Sequence, residues 1–260
     1  MRVNIQRWAL KIEYDGTGFV GWQIQKSGLS VQQVLEEAAQ KICNNRYTIN
    51  SITAGRTDSG VHALGQVAHL DFPACVKLTS KKLCEGLNYY MKPHAVSILN
   101  ASLVDLEWNA RFSALKRKYV YIILNRNSRP ALEKNYVWHV RKPLDVNKMN
   151  AAAQHLLGRH DFTSYRATAC QAKSPIKILD RFDVTKKNDR IFFHVEARSF
   201  LHHQVRNMVG TLKMIGDGHW PEEQALLILK KRDRKAAGIT APSTGLFLKE
   251  IIYPQNLFID

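Results

Sequence analysis

The stretch Ala54-Gly-Arg-Thr-Asp-Ser-Gly-Val-His-Ala-Leu-Gly65 gathers more small and functional side chains than any other part of this 260-residue chain. It carries one carboxylate, Asp58, with Arg56, Thr57, Ser59 and His62 close by and glycines at 55, 60 and 65. A single carboxylate on a tight loop has the chemistry of a nucleophile or a proton acceptor. It lacks the neighbouring carboxylates that a Mg²⁺-dependent nuclease needs. Gly60 permits φ > 0 and close approach of a ligand. Asp-Ser-Gly reads as a turn, because Asp hydrogen-bonds its own backbone two residues on. Taken alone, the string is equally an Asx turn with Arg56 as a surface partner.

Three later segments offer further chemistry. In Lys116-Arg-Lys-Tyr119, alternation groups the Tyr119 ring with Tyr121, opposite the expected buried Val120 and Ile122. From spacing alone a core tyrosine is as good a reading as a ligand contact. In Phe200-Leu-His-His-Gln-Val-Arg-Asn207, Arg206 lies at the edge of an apolar helical stripe. An arginine near Asp58 would hold it ionised through a charge-assisted bond, whereas a surface ion pair is worth little. His202 and His203 are adjacent, so their side chains point about 100° apart on a helix and to opposite faces of a strand. With no third ligand at a useful spacing, no metal is expected. In Gly245-Leu-Phe-Leu248, Leu246 alone is an ordinary strand residue.

The elements that hold these residues follow from periodicity. Val67 to Phe72 alternates as a half-buried strand with Ala68, Leu70 and Phe72 inward and His69 and Asp71 outward, so Asp58 sits on a loop feeding a strand. Trp8 to Tyr14 is an earlier strand, ended by the Asp15-Gly16 turn. Ser30 to Cys43 is a helix with an S-x-x-Q capping box at Ser30 and Gln33. A weaker helix runs from Ser80 to Asn88, and Val96 to Leu99 is a strand. The second half repeats the order. It has a strand at 118–124, a helix from Asp145 to Leu157 with Gly158 as C-cap, and a hairpin around Lys186 to Asp189. Helices over 204–215 and 221–231 and a closing strand from Leu246 to Ile252 follow. The division between halves is placed near residue 105.

The segment from Gly55 to Val67 resembles the catalytic loop of the tRNA pseudouridine synthase A (TruA) family, G-R-T-D-x-G-V-H-A-x-G-Q-V, and every fixed position is present. Tyr14 to Gln23 resembles the family's Y-D-G-T-x-F-x-G-W-Q, and Ala110 to Tyr119 its A-R-F-S-A-x-x-R/K-x-Y. Phe200 to Asn207 is similar to F-x-H-H-M-V-R-N, with Gln204 in place of Met, and Ala237 to Leu248 to A-G-x-T-A-P…G-L-x-L. These segments run in order from Trp8 to Tyr253. The resemblance implies a pseudouridine synthase fold: α+β, two similar α/β halves (1–105 and 106–260) sharing a central, mainly antiparallel sheet with a cleft between them. It implies Asp58 as the catalytic residue, Arg206 as the family's arginine, Tyr119 stacked on the target base and Leu246 lining the uracil pocket. Arg56 and His62 are expected to touch the substrate. It further implies uridines 38, 39 and 40 of the tRNA anticodon stem-loop as targets, a homodimer that holds tRNA across both subunits, and no cofactor.

Bulk properties agree. Lys and Arg number 38 against 22 Asp and Glu, giving +16 and a pI near 9.8, which points to a polyanion. Four cysteines without C-x-x-C spacing read as free thiols in a reducing compartment. No apolar run reaches the length of a membrane span, no P-loop is present, and a cytoplasmic enzyme is expected. A non-catalytic RNA-binding module would also account for the charge, but would leave the Arg56 to Gly60 loop without a purpose.

Overall fold

The computed structural model describes residues 4–258. Among them are ten strands and five α-helices, and the strand pairing is mainly antiparallel. The fold is α+β. The chain forms two compact units, one up to Leu115 with the segment from Leu248 onward, the other Lys116–Phe247. This division falls later than residue 105 because Leu106 to Leu115 is bound to the first unit. The Ala110 amide donates to His69 Nδ1 at 3.1 Å, and the Leu115 amide to the Ile252 carbonyl at 2.8 Å.

The first unit contains β1 (Ile5–Tyr14), α1 (Val31–Ile42), β2 (Ser51–Thr53), β3 (His62–Pro73), α2 (Ser80–Tyr90) and β4 (Val96–Val104). Its strands lie in the order β4-β1-β3, with β2 also on β3. Ser30 caps α1 by accepting from the Gln33 amide at 3.2 Å, as the sequence predicts. The Gln33 side chain donates to Glu37 at 2.9 Å. At Gly86 in α2 a Cβ would lie 3.3 Å from the end of the Ile42 side chain of α1, a close contact that a small shift of that side chain relieves.

The outward placing of His69 is corrected by the structure. β3 starts at His62 and is buried along nearly its whole length, and His69 is 2% exposed. A strand with neighbours on both edges and side chains over both faces loses its polar face. Here Ala110 and Trp108 cover the His69 side, with the imidazole and indole centroids 5.8 Å apart.

The second unit contains β5 (Lys116–Asn125), β6 (Trp138–Val140), α3 (Val146–Gln154), β7 (Gly158–Asp161), β8 (Ile176–Lys187), β9 (Arg190–Ala197), α4 (Gln204–Gly216) and α5 (Gln224–Lys231). Its antiparallel order is β5-β9-β8-β7, and β6 runs parallel to β5. The β8–β9 hairpin turns where expected, with Asn188 at φ 56°. α3 ends at Gln154 rather than Leu157, so that Leu156 turns inward to full burial. Gly158, at φ 87°, opens β7 instead of capping the helix. The last strand, β10 (Leu246–Ile252), has the bounds read from the sequence.

The face of β5 is also corrected. Val120 is buried as expected, but Tyr121 and Ile123 on the opposite face are fully buried too, whereas Ile122 is only half-buried. Tyr121 packs edge-on against Phe193 and Trp138, and its hydroxyl donates to the Pro242 carbonyl at 2.8 Å.

Candidate active site

Asp58 is half-buried on the loop between β2 and β3, and the loop is fixed on each side of it. Before it, Thr57 is held twice. Its Oγ1 lies 2.7 Å from the Tyr14 hydroxyl, and its carbonyl accepts from the Trp22 amide at 3.1 Å. After it, the Ser59 hydroxyl donates to the Phe19 carbonyl at 3.2 Å, and the Val61 amide closes a turn on the Asp58 carbonyl at 3.1 Å. The base of the loop is tied by Gln66, whose amide donates to the Gly55 carbonyl at 2.7 Å. Burial pushes the Tyr14 hydroxyl up to about 12, with smaller opposing effects from Thr57 and Gln66, so it stays protonated at neutral pH.

Two glycines let the 16–22 segment lie against this loop. Gly21 sits at φ 113°, and a Cβ there would meet the Thr57 carbonyl at 2.7 Å. At Gly16 a Cβ would meet the Val61 carbonyl at 2.2 Å. The motif Tyr14 to Gln23 is therefore the second wall of the Asp58 loop, and this explains why the two strings resemble the same family together.

Arg56 is exposed on this loop. His62 is not: it is 2% exposed, and its Nδ1 lies 3.0 Å from both the Gly16 amide and the Asp15 carboxylate. A bare Nδ1 accepts from the amide, and a protonated one donates to the carboxylate, so the proton's position selects the bond. Either way His62 ties the Asp15–Gly16 turn to the start of β3, where the sequence reading had it touching substrate.

The other three expected residues lie in the second unit. Tyr119 is 9% exposed, with its ring edge-on to Phe200 at 5.2 Å between centroids. Arg206, in the first turn of α4, donates through Nε to the Ala241 carbonyl at 2.7 Å, and the Ala241 amide returns a bond to the Arg206 carbonyl at 3.1 Å. This pair fastens the Ala237-Gly-Ile-Thr-Ala-Pro242 segment to α4. Gly238 packs so closely on α4 that a Cβ would lie 2.8 Å from the Gly210 carbonyl. Leu246 is buried at the start of β10, and Gly245 before it admits the Tyr121 ring, which a Cβ would meet at 2.8 Å.

The expected divergence of His202 and His203 is corrected. Their ring centroids are 4.0 Å apart, because His203 adopts φ 62° as the residue preceding α4 and turns back on its neighbour. The geometric ground for setting aside a metal there is thereby removed. At Gln204, where the family pattern has Met, Oε1 accepts from the Leu201 amide at 2.9 Å and so caps the turn. Sequence reading missed three supports of the Asp58 loop, Tyr14, Gly21 and Gln66. All three stand at fixed positions of the quoted motifs, but only their contacts reveal what they do.

No helix among the described residues is long and apolar enough to cross a membrane. A family model described as tRNA pseudouridine synthase matches residues 11–113 and 152–254. The chain is 54% identical to a tRNA pseudouridine synthase A of Gluconobacter oxydans (strain 621H), covering 98% of this chain and 92% of that protein. It is also 54% identical to one of Acidiphilium cryptum (strain JF-5), covering 98% and 99%, and 50% identical to one of Paramagnetospirillum magneticum (strain ATCC 700264 / AMB-1), covering 96% of each. The braced Asp58 loop, its glycine-lined wall and the Arg206–Ala241 clasp thus fall within a match spanning nearly the whole chain, and the chain belongs to the tRNA pseudouridine synthase family.

Proposed function

We propose that this isomerase converts uridine to pseudouridine at positions 38, 39 and 40 of the tRNA anticodon stem-loop, with Asp58 as the catalytic nucleophile or base. The observation that carries the reading is the bracing of Asp58: a carboxylate on a loop tied down before, behind and beneath it. Such bracing orients a reacting group, whereas a merely structural Asx turn needs none of it.

The reaction breaks the N1–C1′ bond, rotates the base and joins C5 to C1′, and the hydrogen on C5 is released as a proton. No electrons are exchanged with a second reactant, so no cofactor is needed. The target base leaves its stack at a cost of a few kcal/mol, and stacking on Tyr119 offsets roughly 1–3 kcal/mol of it. Arg206 supplies fixed positive charge and Leu246 an apolar wall for the uracil. Arg56, exposed beside Asp58, contacts the RNA backbone, while His62 acts by positioning the loop. The enzyme works in the cytoplasm as a homodimer that grips one tRNA with both subunits.

The test is release of tritium from [5-³H]uridine in tRNA. Pseudouridine leaves the mass of the nucleoside unchanged, so loss of the C5 label is the direct signal. Tritium release confined to positions 38–40, and unaffected by excess chelator, is the expected result. Binding of tRNA without release would reduce the chain to an RNA-binding module.

A further inference from the structure

The first unit holds a second candidate binding site, built from residues outside the Asp58 loop. Directly paired strand residues share a face of the sheet. Ile5 pairs with Pro73, Arg7 with Asp71, Ala9 with His69, and Ile52 with His69, so all of these lie on one face. Near the start of β1 this face holds a depression of about 350 Å³, lined by Ile5, Tyr47, Asn50, Ile52, His69 and Pro73. That is within the size range of small-ligand sites.

Its polar groups are specific. His69 is 2% exposed, and its Nδ1 accepts from the Ala110 amide, so the ring proton sits on Nε2. The ring lines the depression, and Nε2 is its remaining hydrogen-bonding atom. Burial and the Arg7 charge hold the imidazole near a pKa of about 4, against a smaller opposite effect of Asp71, so Nε2 remains a neutral N–H donor at working pH. The exposed Asn50 side chain adds a donor and an acceptor. Asp71 also lines the depression, but both its oxygens are engaged by Arg7 at 2.7 Å, so it does not repel a polyanion. Tyr47, 36% exposed, offers an aromatic face whose hydroxyl is fixed against Cys75 Sγ at 3.7 Å, and exposed Arg46 precedes it in the chain.

A flat apolar floor, an aromatic wall, one buried N–H donor, an amide and a flanking cation match an unstacked nucleobase with its phosphate. We propose that this depression takes an unpaired base of the substrate RNA, its carbonyl edge toward His69 Nε2 and its ring on Tyr47. The proposal rests on the reading that the substrate is tRNA and adds a contact away from the reacting uridine.

The test uses the full chain and measures tRNA binding, its salt dependence and the mass in solution. Tyr47→Ala alters a surface residue. It is expected to weaken tRNA binding by roughly tenfold, the size of losing one stacked base, with the slope of log K against log salt unchanged. His69→Asn keeps an acceptor near the Nδ1 position for the Ala110 amide and removes the Nε2 donor, and is expected to weaken binding in the same way. Affinity within twofold of wild type for Tyr47→Ala would overturn the proposal. So would a slope reduced by about one, which signals a lost phosphate contact instead. A halved mass for Tyr47→Ala would also overturn it, since the depression would then be an interface between copies. Failure of the broader reading is separately visible, because the wild-type chain would then release no tritium.

Discussion

The Tyr14 hydroxyl lies 2.7 Å from Oγ1 of Thr57, the residue immediately before Asp58, and both side chains are buried. The carboxylate is therefore aimed by a bond from the end of β1. Tyr14→Phe removes that bond and strips the Gln66 amide of a weaker partner at 3.4 Å. An unsatisfied buried hydroxyl costs about 1–3 kcal/mol, so the urea midpoint should fall. Turnover should drop by about tenfold, equivalent to about 1.4 kcal/mol of barrier. Turnover at the wild-type rate in a destabilised Tyr14→Phe protein would make the bond structural only.

Gly21 makes a sharper test of the same support. Its φ of 113° and the 2.7 Å that a Cβ would leave to the Thr57 carbonyl exclude a side chain without a backbone shift. Gly21→Ala should destabilise by more than about 1 kcal/mol and displace Asp58. We expect kcat for tritium release to fall further than for Tyr14→Phe, while tRNA affinity changes little.

Asp58→Asn separates catalyst from turn. Asn supports Asx turns as Asp does, so a turn residue would tolerate the change. A catalytic carboxylate would not, and the expected loss exceeds roughly 10⁴, or about 5 kcal/mol, with tRNA binding retained. Residual turnover within tenfold of wild type would sink the assignment. Arg206→Lys should fall between Asp58→Asn and a rim charge, because Lys keeps the charge but loses the planar guanidinium that holds Ala241.

The depressed pKa of His69 sets a pH window for stability. Its folded value is about 4, against 6.5 for the free side chain. Between these values the unfolded chain binds a proton that the native one excludes, so stability falls as pH drops, by about 1.4 kcal/mol per unit. Above pH 6.5 the contribution is fully present. Urea midpoints of wild type and His69→Asn measured at pH 7 and pH 5 should converge at the lower pH. A constant gap would remove His69 as the titrating group.

With +16 net charge, tRNA affinity should depend on many phosphate contacts, and log K should fall steeply and linearly with log salt. Filter binding across a salt series reads the slope directly. A flat dependence would show that the basic surface is not the RNA footprint.

Local sequence determined much of this protein by itself. The glycines and the lone carboxylate of the Asp58 loop, the Ser30 cap of α1, the β8–β9 turn and the bounds of β10 were legible because each is fixed by neighbours in the chain. What only the tertiary structure decided depends on residues far apart in sequence. A two-residue period reports one buried face. β3 carries two, since β1 and β2 flank it and Ala110 and Trp108 cover the side where His69 was expected to meet water. The same limit hid the burial of His62 on the Asp15–Gly16 turn and the approach of the His202 and His203 rings, which follows from a left-handed φ that no spacing rule supplies. It also hid the boundary at Leu115. The chain there is bound to the first unit by an amide of its own and a carbonyl at Ile252, and no local pattern encodes a partner so distant.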